Sequence, residues 1–262
     1  MRILVIGDII GRTGRRCLRE VLDGIRKEWD PHLVIANVEN SAGGFGITRK
    51  VYKELKDTGI DVMTSGNHIW DKKEVFDFID GCPDLLRPAN YPEGVPGRGW
   101  GLFTTTRGDR VAVVNLMGRI YLEPNMDNPF LRFDSIYEEL REKTPFIAVD
   151  FHAETTSEKW AFGLYTDGRA SAVYGTHTHI PTADETILPK GTAYVTDVGM
   201  TGALYSVIGM RAREPIERFI TGLPRRFQVE DKGDIIFNAL IIDLNERGRA
   251  VNIKRIKRIV KR

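Results

Sequence analysis

Short β-branched runs alternate along this chain with longer amphipathic ones, the rhythm of a layered α/β fold. Residues 2–6 (Arg2-Ile3-Leu4-Val5-Ile6) read as a buried strand. Cys17, Leu18, Val21, Leu22 and Ile25 then recur at helical spacing and predict a helix over 13–29. A second strand is expected over 32–38, and a helix capped by Thr48 runs to about Thr58, where Gly59 ends it. A third strand over 61–64 and a third helix over 71–80 follow. Glycine and proline crowd residues 82–101, which must be irregular chain or sheet edge. Further strands are predicted over 111–116, 146–151, 172–174 and 193–196, with helices over 133–142 and 158–164. At the end, runs over 234–244 and 250–259 flank Asn245-Glu246-Arg247-Gly248-Arg249, a hairpin with a glycine-containing loop. Strands joined through helices pair in parallel and the hairpin is antiparallel, so the expected architecture is two mixed sheets packed face to face with helices outside.

Composition narrows the class. The 262 residues are 42% hydrophobic and 28% charged, which excludes disorder as the dominant state. A chain of this length buries about 75% of its unfolded surface, so one domain spanning 1–262 is expected. Lysine and arginine exceed aspartate and glutamate by only +2, no general field for gripping nucleic acid or an anionic membrane. The apolar runs are strand-sized, well short of the ~20 residues of a membrane span, and Asp8 interrupts the first too early for a signal peptide. Cys17 and Cys82 make neither a disulfide framework nor a metal pair, and the cytoplasm is the default address.

The chemistry lies in what ends each strand. Asp8 follows the first, Glu39-Asn40 the second, Asn67-His68 the third, His152 the run over 146–151, and His177-Thr178-His179 the run over 172–174. Of five histidines, all but His32 fall in this set. Ligands collect at the carboxyl edge of an α/β sheet because the strands hold their own ends rigid while the loops stay open. Carboxylates, amide oxygens and neutral imidazoles together suit two borderline divalent ions such as iron, manganese or zinc. Two ions roughly 3.5–4 Å apart need a shared carboxylate, a part open to Glu39 or Asp8.

Taken singly, each residue has a plainer account. Asp8 suits a helix N-cap, Asn67 a turn, His152 a hydrogen-bonded core position, and Glu39-Asn40 the shaping of a glycine-rich loop. It is five strand ends converging on polar residues that these accounts leave unexplained. Gly43-Gly44-Phe45-Gly46 lacks the Gly-Lys-Ser/Thr of a phosphate-cradling loop. His32, beside Pro31, is expected on the surface, Cys17 on an apolar helix face and Cys82 in a loop. The basic segment from Lys254 to Arg262 reads as a charged edge strand that resists edge-to-edge pairing. Trp100, Phe103 and Tyr121 suit either a base pocket or core packing.

The motifs as a set resemble the calcineurin-like metallophosphoesterases, and more closely their bacterial YmdB-type branch. The likeness rests on Gly7-Asp8-Ile9-Ile10-Gly11-Arg12, Asn37-Val38-Glu39-Asn40-Ser41-Ala42-Gly43-Gly44, Gly66-Asn67-His68-Ile69-Trp70-Asp71, a lone His152, Gly175-Thr176-His177-Thr178-His179 and Thr196-Asp197-Val198-Gly199-Met200-Thr201-Gly202. It implies a four-layer α-β-β-α sandwich, a dinuclear metal centre and hydrolysis of cyclic-nucleotide phosphodiesters. By motif, Asp8, Glu39, Asn40 and His179 would hold one ion. Asn67, His152 and His177 would hold the other, with Glu39 shared. His68 would be the general acid, oriented by Asp71 or Asp150, with Arg12 and Thr178 beside the ligands as candidate phosphate contacts. Ile10 and Glu39-Asn40 depart from the Asp-x-His and Gly-Asp of the wider superfamily. Both departures fit the YmdB-type branch, and the oxygen-richer site favours iron, or manganese, over zinc.

The activity so implied is hydrolysis of 2′,3′- or 3′,5′-cyclic nucleotides by a hydroxide generated between the cations, with a proton from His68 to the leaving oxygen. A phosphomonoesterase or protein phosphatase on the same centre is the rival enzyme. A regulatory or RNA-associated binding protein with a residual metal site is the rival of another class. A small phosphodiester substrate is the expected partner, no membrane or nucleic acid is, and homo-oligomerisation stays open.

Overall fold

The computed structural model of the chain describes residues 1–124 and 126–262. In chain order it begins β1 (Arg2–Ile6), β2 (Asp8–Ile9), α1 (Gly11–Trp29), β3 (Leu33–Asn37), α2 (Arg49–Asp57) and β4 (Val62–Thr64). After an irregular stretch come β5 (Trp100–Thr104), β6 (Arg110–Met117), α3 (Pro129–Leu140), β7 (Phe146–His152), α4 (Thr156–Thr166) and β8 (Ala172–Thr176). The last part holds β9 (Thr186–Ile187), β10 (Ala193–Val195), β11 (Met200–Ala203), α5 (Arg213–Thr221), β12 (Ile235–Leu244) and β13 (Ala250–Val260).

Two mixed sheets result. The first runs β2-β11-β12-β1-β3-β4, with β13 on β12, and the second runs β5-β6-β7-β8-β10-β9. Pairing is parallel across the helical crossovers β1–β3 and β6–β7–β8, and antiparallel across the terminal hairpin β12–β13 and in β11–β12, which α5 separates in sequence.

Side-chain alternation sorts the layers. Ile3 and Val5 of β1, with Leu33 and Ile35 of β3, face Val113, Ala148 and Tyr174 of the second sheet across a shared core. Their neighbours Leu4, Ile6, Val34 and Ala36 point the other way, onto Leu18, Leu22 and Ile25 of α1 and Val51 and Leu55 of α2. Val114, Val149 and Val173 pack outward against Phe133, Ile136 and Leu140 of α3 and Phe162 of α4. The order is therefore α-β-β-α, and each fully buried aliphatic side chain contributes ~1.5–3 kcal/mol.

Local chemistry explains the boundaries. Thr48 Oγ1 accepts the Val51 N–H and caps α2, and Gly59, at φ +99°, turns the chain beyond it. The helix expected over 71–80 is instead two 3-10 segments, Lys73–Asp77 and Ile79–Gly81. Phe78 leaves helical geometry at φ −139° and places its ring against Tyr52. Also unforeseen are the short strands β2, β5, β9 and β11, and α5.

His32 is buried rather than on the surface, because its Nδ1 accepts the Arg2 N–H at 3.0 Å and joins the start of β1 to the residue before β3. Trp100 and Phe103 lie in β5 and pack on the two faces of the second sheet, while Tyr121 is 88% exposed. Cys17 and Cys82 are both buried, and burial pushes the Cys17 thiol up to about 12. The basic segment is edge strand β13, whose Arg255 and Arg258 pair with Glu185 and Glu28, each at 2.7 Å.

The terminal hairpin also braces the two sheets. Gly248, at φ +71°, presses on the second sheet so closely that a Cβ would come within 1.9 Å of the Pro145 carbonyl oxygen. Gly248→Ala should therefore lower the unfolding free energy by more than about 1 kcal/mol in urea titrations. An unchanged midpoint would contradict this packing.

Candidate metal centre

Five strand ends deliver their side chains to one rim. Behind it, Glu39, His152 and His177 each offer one donor atom, all within 4.8 Å of one another. Glu39 follows β3 through Val38, its N–H held by Asn37 Oδ1 at 3.1 Å. One carboxylate oxygen, Oε2, accepts the His68 N–H at 3.0 Å, while Oε1 lies 3.2 Å from both His152 Nε2 and Asn40 Nδ2. Glu39 thus reaches towards His152 on one side and towards Asn40 and His179 on the other.

The hydrogen bonds behind each imidazole fix which nitrogen faces the site. Thr176 Oγ1 donates to Asp150 Oδ1 at 2.7 Å, so at 2.9 Å it accepts from His152 Nδ1–H and leaves the Nε2 lone pair inward. His177 Nε2 lies 2.9 Å from Glu154 Oε2 on the outer side, and Nδ1 faces His152. The Ile208 carbonyl accepts from His179 Nδ1–H at 2.9 Å, which turns Nε2 inward. His152 Nε2 then stands 3.1 Å from His177 Nδ1 and 3.0 Å from Asn67 Oδ1, acceptors that only a proton on Nε2 or a cation in its place can satisfy.

The Asp8 side is similar. Asp8 Oδ2 accepts the His177 N–H at 3.3 Å, whereas Oδ1, fully buried and 3.7 Å from His179 Nε2, has no hydrogen-bond partner. Asn40 completes this side with its amide 3.1 Å from His179 Nε2, and a half-turn of that amide brings Oδ1 into the same space. A buried orphan oxygen beside inward lone pairs is the donor set of a cation site. These residues fit divalent metal ions, four to each side when Glu39 is counted twice.

Electrostatics agree. Burial pushes the Asp8 carboxyl up to about 6 and the Asp150 carboxyl, behind His152, to about 7. Burial and the neighbouring His152 hold the His177 imidazole down to about 2, so it stays neutral and able to ligate. For Glu39, burial alone would raise the carboxyl, but the charge of His152 and hydrogen bonds from His152 and His68 hold it below the usual range. His152 moves the other way: burial lowers it, yet Glu39 raises it further. The gap beside His152 Nε2 therefore draws in positive charge, a proton or a metal ion in its place.

Backbone strain accompanies this placement. His177 and His179 sit at φ +97° and +65°, and β-branched Ile208 at φ +48°. Each costs ~1–3 kcal/mol and persists only because its surroundings over-determine it. Gly66 has its own reason, since a Cβ there would lie 2.2 Å from the His152 ring.

In front of the donors lies a cleft of about 390 Å³. Glu39, Asn40, His68, His177, Thr178 and His179 form its polar side, and Phe45, Ile208, Met210 and Phe227 an apolar wall. His68 Nδ1 is 2.8 Å from Asp71 Oδ2, whereas Asp150 lies on the far side of His152. Thr178 donates to Asp197 at 2.8 Å. Arg12 is the one candidate brought neither to the cleft nor to the donors behind it: its side chain is 74% exposed and its guanidinium 3.5 Å from Asp231. Sequence reasoning missed Glu154, Asp197, Lys159 and the Ile208 carbonyl. Asp197 had entered only as part of the motif over 196–202, and Lys159 had left a trace as a charge on the inward face of α4 shared with Phe162, Gly163 and Thr166.

Residues 4–256 match the family model described as YmdB-like protein. The chain belongs to the YmdB-like family. A Bacillus subtilis member, 2′,3′-cyclic-nucleotide 2′-phosphodiesterase, is 51% identical over 98% of this chain and 96% of its own length. Two crystal structures superpose throughout. A hypothetical protein from Thermus thermophilus has TM-score 0.91 at 44% identity, covering 99% of both chains. A protein described as a novel phosphatase from Mycoplasma pneumoniae has TM-score 0.93 at 33% identity, covering 100% of this chain and 94% of its own. The YmdB-like fold is thus a mixed α/β sandwich of the calcineurin-like phosphatase type.

The Gly66 contact yields a test. Gly66→Ala must displace a buried imidazole, an overpacking that costs ~1–3 kcal/mol, or a fall in Tm of roughly 2–10 °C. Thermal unfolding in chelator measures it, and an unchanged Tm would contradict the placement of His152.

Proposed function

We propose that the chain is a metal-dependent phosphoric diester hydrolase that opens cyclic nucleotides, 2′,3′-cyclic ones first. The observation that carries this reading is the inward convergence of three imidazole lone pairs and two buried carboxylates. The activity named for the Bacillus subtilis relative supports it. Asp8, Glu39, Asn40 and His179 would hold one ion, and Glu39, Asn67, His152 and His177 the other. When bound, two such cations neutralise the phosphate's non-bridging oxygens and make water a competent nucleophile at neutral pH. Oxygen-rich ligation favours iron, then manganese, with zinc third. The cytoplasmic address read from the sequence belongs to the same proposal.

The chain's own residues do the rest. The polar side of the cleft seats the cyclic phosphate, and Thr178 lies within its reach. The wall of Phe45, Ile208, Met210 and Phe227 offers the base an apolar face. In-line attack at phosphorus breaks the P–O2′ bond, and negative charge develops on the leaving ribose oxygen. His68 stands at the cleft without belonging to the donor cluster, and Asp71 at its Nδ1 fixes the ring so that Nε2 is the atom that delivers the proton.

Assays on 2′,3′- and 3′,5′-cyclic nucleotides, nucleoside monophosphates and a nitrophenyl diester test the reading. Turnover of 2′,3′-cyclic nucleotides is expected to exceed turnover of monoesters, and monoester-only activity would replace this reading with a phosphomonoesterase. His68→Ala should lower kcat on cyclic nucleotides by about 10²–10⁴-fold and much less on the nitrophenyl diester, whose leaving group needs no proton. Equal losses on both would remove His68 from the role of acid.

A further inference from the structure

The mechanism leaves unused a fully buried ion pair, Lys159 of α4 with Asp197 of the segment after β10. Its contacts surround His177. Lys159 Nζ donates to the Thr176 carbonyl at 2.8 Å and to Asp197 Oδ2 at 2.7 Å. The same Oδ2 accepts the Thr178 N–H at 3.1 Å and the Thr178 hydroxyl at 2.8 Å. Asp197 Oδ1 accepts the Gly199 N–H at 2.8 Å, and the Asp197 N–H donates to Thr182 Oγ1 at 2.9 Å, so the carboxylate is itself held fast. The peptide group before His177 is thus tied to the lysine and the one after it to the aspartate. Between these ties His177 adopts φ +97°.

We propose that Lys159 and Asp197 are positioning residues, a buried charged staple that holds His177 in a left-handed backbone so that Nδ1 faces the metal centre. The inference rests on the metal-site reading above and adds to it which groups aim this ligand. Opposite charges suit the task for a geometric reason. The Thr176 carbonyl needs a donor and the Thr178 N–H an acceptor, and a cation–anion pair supplies both while satisfying itself. An asparagine at 197 cannot do this. Whichever way its amide is turned, Nδ2 meets the N–H of Gly199 or that of Thr178.

Calorimetric titration of the metal-free full chain with Mn²⁺ tests the proposal, and wild type is expected to bind two ions. The double variant Lys159→Met/Asp197→Asn leaves no lone buried charge, which preserves the fold better than either single change. In it, the ion held through His177 should weaken by about ten- to a hundredfold, while the ion on Asp8 and His179 keeps its affinity. Equal weakening of both ions, or of neither, would overturn the staple. Histidine ¹⁵N shifts in metal-free protein supply a second readout. His177 should show an unprotonated Nδ1 and protonated Nε2 in wild type, and averaged values in the double variant, with the remote His32 unaltered. An unchanged His177 pattern in the variant would also overturn it. Wild type binding no Mn²⁺ would remove the metal reading alone, and the His177 shifts would still decide the staple.

Discussion

Glu39, His152 and His177 meet with one donor atom each within 4.8 Å of one another, Glu39 and His152 fully buried. Such a cluster is repulsive unless positive charge enters it. The upward pull on His152 and the orphaned Asp8 Oδ1 are two signs of the same demand. What lies behind the cluster serves to keep the lone pairs aimed inward against that repulsion. Thr176 with Asp150, Glu154, and the Ile208 carbonyl each hold the outer nitrogen of one imidazole.

The fold supplies the rigidity this requires. β1, β3 and β4 of one sheet and β7 and β8 of the other are buried on both faces, and their carboxyl ends open onto one rim. Each sheet therefore contributes a share: Asp8, Glu39, Asn40 and Asn67 from the first, His152, His177 and His179 from the second. No single loop could hold seven such side chains in register. Closure of the sandwich brings them together, and close backbone approaches at Gly66 and Gly175 allow the final fit.

Much of this was legible in the sequence, for a physical reason. Strands buried on both faces are continuous apolar runs, so a polar residue ending one is conspicuous, and the fold gathers the seven candidate donors at one rim. Residues that act behind the donors carried no such contrast. Glu154 and Asp197 lie in loops where acidic residues are ordinary, and Lys159 was a lone charge on an amphipathic helix. His32 was misjudged because a Pro-His pair at a strand start looks like surface, although its imidazole replaces a backbone acceptor between two strands. The two-residue β2 and four-residue β11 are too short to show periodicity and exist because β2 pairs with β11 and β11 with β12. Arg12 adjoins a donor in sequence, but α1 carries its side chain outward to Asp231.

Membership of the YmdB-like family and the geometry of the rim lead to the same chemistry by independent routes. The proposed hydrolysis requires that the charge drawn to Glu39 be metallic rather than protonic. Elemental analysis of the chain purified without oxygen or chelator measures this most directly. The account predicts two transition-metal ions per chain, falling when Glu39→Gln removes the shared carboxylate. A folded wild-type chain that carries no metal and takes none up would contradict it.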